Sequence, residues 1–292
     1  MTLFSNVKGL TFYGGGEGEE EHDPYLKMDE MSETSEKEER MILKTDSLLL
    51  LGKTEEEVSH LEVHVYDNED HHTYVHHDIL LPSFPLCVDY IHNDNETVRE
   101  DGQTEGGIYA VVGTFEPTIE IWNLNVIDPV YPSLVLGKPK QEETKKSKKK
   151  KKSSGTTSGP AHHTDAVLAI SPSRLLPHLM LSASADHTIN LWDLAAPAMP
   201  VRTFRHHKDK VAVIEWSPTE VGIFASAAYD GRIYVIDARE EVDSEASVIA
   251  KWKVDSDTEA LSWDPSAPHR LVVRYSSLAR TSENMRTYKS DF

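Results

Sequence analysis

The sequence predicts an all-β chain built from a repeated unit of short strands, and three observations predict it. Runs such as "DSLLLLG", "LEVHVYD", "TYVHHDILL", "LCVDYIH", "IYAVVGT" and "TIEIWNL" are rich in Val, Ile and Tyr, and several alternate. Gly, Asn, Asp and Pro separate them, as turns between strands require. Nothing after residue 45 carries the period of a long amphipathic helix, and one stretch of chain recurs at a fixed offset.

That stretch is "HHTDAVLAISPSRLLPHLMLSASADHTINLWD", from His162, which aligns with "HHKDKVAVIEWSPTEVGIFASAAYDGRIYVID", from His206, 44 residues later. The same offset carries His163 to His207, Val167 to Val211, Ser182 to Ser226, Asp186 to Asp230 and Asp193 to Asp237. A period of about 40–45 residues made of short strands is the signature of a propeller blade. A His before the first strand, a Ser in the second, an Asp in the following turn and a Trp in the third can join in one hydrogen-bonded network. Such a network satisfies polar groups that burial would otherwise leave unpaired. These residues resemble the WD-repeat family: the first repeat has its tetrad as His163, Ser182, Asp186 and Trp192, closing on Trp192-Asp193. The second keeps His207, Ser226 and Asp230 but has Ile236 at the Trp position. Its network is expected to be shorter and its blade less stable.

The flanking blades are divergent. "GTFEPTIEIWNL", aligned on Trp122, places Glu116 at the turn acid and Asn123 at the final Asp, with no His at its start. "WKVDSDTEALSWDPSAPHRLVV" opens a further blade with Trp263 and Asp264 in a first strand, and residues 46–81 supply three strands of another. The count is roughly four blades in a partial ring, two of them clear. Trp216 and Trp263, in "EWSP" and "SWDP", read as core packing rather than exposed anchors.

The segments between the repeats are more specific. "VSHLEVHVYDNEDHHTYVHHDILLPSFPLCVDY", "GGIYAVVGTFEPTIEIWNLNVID" and "KWKVDSDTEALSWDP", with a Lys-rich insertion before the His-His blade, resemble the periodic tryptophan protein 1 family. The resemblance covers roughly residues 40–273. It implies a nuclear and nucleolar WD-repeat scaffold in ribosome biogenesis and pre-rRNA processing, with ribosome-assembly factors and pre-ribosomal particles as partners. A role at chromatin is also implied. The family's ring has about seven blades, so the chain is expected to be truncated or divergent after about residue 274, and a part ring to be aggregation-prone alone.

Composition sets the remaining boundaries. Formal charge is −19, from 49 acids against 30 bases, which disfavours general nucleic-acid binding. Residues 1–45 read as an acidic, mostly disordered segment, 46–277 as the blades, 138–161 as a flexible Lys-rich loop and 278–292 as an irregular tail. In that loop Lys145, Lys146, Lys148, Lys149, Lys150, Lys151 and Lys152 form a basic run suited to nuclear or nucleolar retention and to weak RNA contact. Ser32 and Ser35 stand among acids, as an acidophilic kinase prefers. No apolar run approaches the roughly 18 residues of a membrane span, and the N-terminus lacks a signal peptide; a soluble, intracellular chain is expected.

Chemistry is not evident. The single cysteine, Cys87, excludes an intrachain disulfide and a Cys-based zinc cage, and reads as a small buried apolar residue. The pairs His71/His72, His76/His77, His162/His163 and His206/His207 invite a metal, but they are spread along strands and loops rather than at ligand spacings. There is no nucleophile elbow, zincin motif, P-loop or dinucleotide fingerprint. The expectation is therefore a scaffold that is not an enzyme and takes no cofactor or metal. The second reading is a chromatin-associated propeller whose acidity attracts a basic histone tail.

Overall fold

The structure, a computed structural model, describes residues 46–68, 71–98, 104–138, 161–240, 247–254, 256–267, 269–275 and 285–289. Among the described residues the chain forms five antiparallel sheets, each a simple meander of consecutive strands. The first holds β1 (Ser47–Glu55), β2 (Val58–Asp67) and β3 (His72–Leu81). The second holds β4 (Pro85–Val98), β5 (Thr104–Thr114), β6 (Ile119–Asn123) and β7 (Leu134–Leu136). The third holds β8 (Val167–Pro172), β9 (Leu179–Ser184), β10 (Ile189–Asp193) and β11 (Arg202–Phe204). The fourth holds β12 (Val211–Trp216), β13 (Ile223–Ala228), β14 (Arg232–Asp237) and β15 (Val248–Lys253). The fifth holds β16 (Thr258–Trp263), β17 (Arg270–Tyr275) and β18 (Met285–Lys289).

The first strands β1, β4, β8, β12 and β16 lie side by side in that order, so the sheets fan out from a common inner row. The apolar side chains accordingly sit between sheets. Leu61, Val63 and Ile79 of the first sheet meet Ala110, Val112 and Trp122 of the second. Val111 and Ile121 of the second meet Met180 and Trp192 of the third. Leu181 and Leu191 meet Trp216, Phe224 and Ile236 of the fourth, and Val235 meets Leu261 and Val273 of the fifth. Each sheet buries both faces only with neighbours on both sides, the arrangement of a propeller.

The strands form where the sequence places them because alternation is matched to burial. β2 alternates outward His60, Glu62 and His64 with inward Leu61, Val63 and Val65. β13, "IFASAA", is buried throughout because it lies in the middle of its sheet with a neighbouring sheet on each face. A one-residue irregularity recurs at the start of four of the five inner strands, where Leu86, Leu168, Ala212 and Glu259 are passed over in the pairing, while β1 pairs without a shift. A bulge sharpens local twist, as strands splayed around a centre require.

One expectation is corrected. Residues 278–292 are not an irregular tail throughout: Met285–Lys289 form β18, paired with β17 from Arg270↔Lys289 to Arg274↔Met285. Tyr288 drives this, its ring 5.5 Å from that of Trp252 in the fourth sheet. The fifth sheet is thus more complete than "RLVV" suggests and, β18 apart, the five described sheets fall on the segments expected to form blades.

Candidate functional site

The third sheet carries the tetrad as one continuous chain of donors. The Trp192 Nε1–H donates to Ser182 Oγ at 2.8 Å, and Ser182 Oγ lies 2.7 Å from His163 Nε2. His163 Nδ1 lies 3.2 Å from Asp186 Oδ2. A carboxylate only accepts, so Nδ1 donates to it, Nε2 accepts from the serine hydroxyl, and the serine oxygen accepts from the indole. Asp186 also accepts the amides of Thr164 and Thr188, both at 2.9 Å, and the Thr188 hydroxyl at 2.6 Å. Burial alone would raise the Asp186 carboxyl, but hydrogen bonds from His163, Thr188 and the Thr164 amide outweigh it and hold it well below the ordinary carboxylate range.

In the fourth sheet the chain is one member shorter. Ser226 Oγ is 2.9 Å from His207 Nε2, and His207 Nδ1 is 3.3 Å from Asp230 Oδ1. Asp230 accepts the amides of Lys208 at 2.9 Å and Arg232 at 3.0 Å. Burial opposes ionisation there too, and the bonds from His207 and Lys208 lower the carboxyl overall. Ile236 fills the indole position as pure core, fully buried, while Tyr234 presents its ring edge-on to His207 at 4.9 Å.

The divergent sheets replace the network rather than omit it. In the second, Val112 stands where the serine would be, and the Trp122 indole donates instead to Glu120 Oε2 at 3.1 Å, two residues back on the same strand. Burial raises the Glu120 carboxyl, and the indole bond only partly offsets that. Glu120 was not singled out in the sequence; its signal was an acid alternating with Ile119 and Ile121 in a strand buried on both faces. Glu116, expected as the turn acid, lies exposed, its amide donating to Thr114 Oγ1 at 3.1 Å. In the fifth sheet Val273 and Tyr288 occupy the serine and indole positions.

A second repeating contact ties one sheet to the next. Trp216, last in β12, donates Nε1–H to the Ser171 carbonyl of β8 at 2.9 Å, and its amide donates to Ser171 Oγ at 3.2 Å. Trp263, last in β16, repeats this on β12, donating Nε1–H to the Glu215 carbonyl at 3.3 Å and its amide to Glu215 Oε2 at 3.0 Å. Both indoles are buried, as core packing predicts. The sequence gives no sign that they also clasp neighbouring sheets, because each indole bonds a backbone carbonyl and each side-chain acceptor takes a backbone amide.

Ser182, His163 and Asp186 have the connectivity of a hydrolase triad, but Ser182 is 0% exposed and its oxygen already accepts the indole N–H. A nucleophile must reach a substrate carbonyl, and this serine is walled in. Ser226 is equally buried. Among the described residues no group of three or more His, Cys, Asp or Glu is arranged to hold a metal ion. Burial pushes the Cys87 thiol up to about 12. A cleft of about 500 Å³ opens between the second and third sheets, lined by Ile91, Tyr109, Leu134 and Leu194 with His92 and His178. The Lys145–Lys152 run, Ser32 and Ser35 lie outside the described residues.

The profile of the "WD domain, G-beta repeat" family matches residues 154–193 and 198–237, the two segments that carry the donor networks. This chain is a WD-repeat protein. Its similarity to individual relatives reaches beyond those two repeats. It is 35% identical over 273 residues to Periodic tryptophan protein 1 of Saccharomyces cerevisiae, covering 83% of this chain and 46% of the relative. The Periodic tryptophan protein 1 homolog of Drosophila melanogaster is 30% identical over 241 residues, 82% of this chain and 48% of the relative. An uncharacterized WD repeat-containing protein of Schizosaccharomyces pombe is 43% identical over 194 residues, 66% of this chain and 35% of the relative. The WD-repeat chain therefore spans less than half the length of each of these three.

Proposed function

We propose that this WD-repeat protein is a non-catalytic scaffold of the nucleus and nucleolus that assists ribosome biogenesis and pre-rRNA processing. The observation that carries the scaffold reading is where the reactive side chains go. Ser182, His163, Asp186, Ser226, His207 and Asp230 are consumed in internal networks that fix turns to strands. What remains for function is surface, and its mechanism is positioning and avidity. Similarity to periodic tryptophan protein 1 supports the assignment to ribosome assembly, with assembly factors and pre-ribosomal particles as partners. The Lys145–Lys152 run supplies nucleolar retention and weak RNA contact, and Ser32 and Ser35 are candidate phosphorylation sites in an acidic segment.

A second reading, a chromatin-associated propeller that binds a basic histone tail, is favoured by the net charge of −19. One experiment separates the two: affinity purification of the tagged chain from nuclear extract, with and without RNase, read by mass spectrometry. Large-subunit ribosomal proteins and assembly factors whose recovery falls with RNase support the scaffold reading. Histones recovered regardless of RNase replace it with the chromatin reading.

A further inference from the structure

Among the described residues five cations are held in ion pairs. Lys53 lies 2.8 Å from Glu55, Arg174 3.3 Å from Asp89, Arg239 2.7 Å from Asp237, Arg270 3.4 Å from Asp264 and Arg274 2.8 Å from Glu259. One end of the fourth sheet departs from this. Arg205, Lys208, Lys210, Lys251 and Lys253 are all exposed there, and among the described residues no carboxylate lies within ion-pair distance of any of them.

These cations are held in one frame. Lys210 accepts the Tyr229 amide on its carbonyl at 3.0 Å, and the Asp230 carboxylate fixes the Lys208 and Arg232 amides. Arg232 is directly opposite Lys253 in the β14–β15 ladder, and Tyr234 directly opposite Lys251. Arg232, Lys251 and Lys253 therefore project from the same face of the sheet. Like charges directly opposite each other destabilise a strand pair, so the Arg232/Lys253 pair costs the fold something that a bound anion would remove. Arg232 is also pinned, its guanidinium donating to the Tyr234 hydroxyl at 3.2 Å. Among the described residues Asp209 and Asp230 at this end are engaged locally, Asp209 with the Lys210 amide at 2.8 Å and Asp230 with His207, and exposed Asp257 follows Ser256, whose carbonyl faces Gly231. In the turn among these cations stands Tyr229, 42% exposed.

We infer that this end of the fourth sheet, built from Lys208, Lys210, Arg232 and Lys253 around the Tyr229 ring, docks single-stranded RNA. Cations that track a phosphate backbone beside an exposed aromatic on which a base stacks are the elements of single-strand recognition. An acidic peptide would use the same cations, and displacement by oligoglutamate separates the two. The inference deepens the ribosome-assembly reading and rests on it for the identity of the polymer; it does not involve the Lys145–Lys152 run.

The test is fluorescence anisotropy of a labelled 12-nucleotide oligouridine, titrated with the full chain in which all seven lysines of the run are changed to Gln. Joint Lys208→Ala and Lys210→Ala substitution is expected to weaken binding at least ten-fold at low salt. It should also flatten the log–log salt slope by about 1.4, two phosphate contacts on a single strand. Tyr229→Ala is expected to weaken binding about five- to hundred-fold with the slope unchanged, while Tyr229→Phe retains affinity. Thermal melts of each variant matching the parent exclude misfolding as the cause. No binding by the parent, or binding indifferent to Tyr229→Ala, overturns the inference. Equal displacement of the RNA by oligoglutamate overturns it in favour of an acidic protein partner. None of these outcomes alters the RNase-dependent recovery that tests the ribosome-assembly reading.

Discussion

Ser182 and Ser226 occupy equivalent positions and are both fully buried, yet they satisfy different numbers of partners. Ser182 serves His163 and Trp192; Ser226 serves His207. Removing a hydroxyl that leaves buried groups unsatisfied costs about 1–3 kcal/mol per group. Ser182→Ala is therefore expected to destabilise by about 2–4 kcal/mol and Ser226→Ala by about 1–2, measured by urea unfolding. Equal effects would mean that the indole bond contributes nothing. The acids act in opposite directions with pH. Asp186 and Asp230 are lowered in the fold, so their contribution is complete above the unfolded value of about 3.9 and is lost as pH falls through the folded values. Melting temperatures should stay level from pH 7 to about 5 and fall below about 4, less steeply in Asp186→Asn. Glu120 is raised, so its ionised form is a cost at neutral pH. Glu120→Gln, whose amide oxygen still accepts the Trp122 indole, is expected to leave the protein as stable or more stable at pH 7.

The sheet is the unit whose integrity depends on its neighbours, and the indoles of Trp216 and Trp263 are where one unit grips the next. Truncating a buried Trp costs about 3–5 kcal/mol, and here the loss falls on an interface. Trp216→Ala is expected to raise amide exchange in β8 as well as in β12, because both lose the contact; exchange confined to β12 would show that the clasp is incidental. The strands of the third and fourth sheets were legible because two repeats could be aligned on each other, so that each confirmed the other's turns. β18 was not legible: Tyr288-Lys289 stands where Trp192-Asp193 and Ile236-Asp237 stand in those sheets, and its pairing depends on Trp252, distant in sequence. The networks were readable from His, Ser, Asp and Trp because side chains bond side chains there. The clasps and Glu120 were not, since one uses backbone groups and the other replaces the expected serine with an acid on the next strand.

For the molecule as a whole, the proposed function turns on where the chain resides. Deleting residues 145–152 is expected to move a fluorescent fusion from the nucleolus toward the cytoplasm; an unchanged nucleolar signal would remove the run from the proposal. A different consequence follows from Cys87, the chain's one cysteine. Its Sγ lies 3.7 Å from the Val167 carbonyl of the third sheet, and a Cβ added at Gly113 would come within 2.5 Å of it. The thiol is thus wedged at the seam between the second and third sheets and reacts poorly in place. Cys87 is half-buried and its thiol is held at the seam, so a maleimide or disulfide reagent is expected to react slowly, at a rate that rises when the seam parts, and labelling kinetics then follow breathing of the fan. Rates that level off as reagent is raised would give the opening frequency of that seam directly, without any engineered probe.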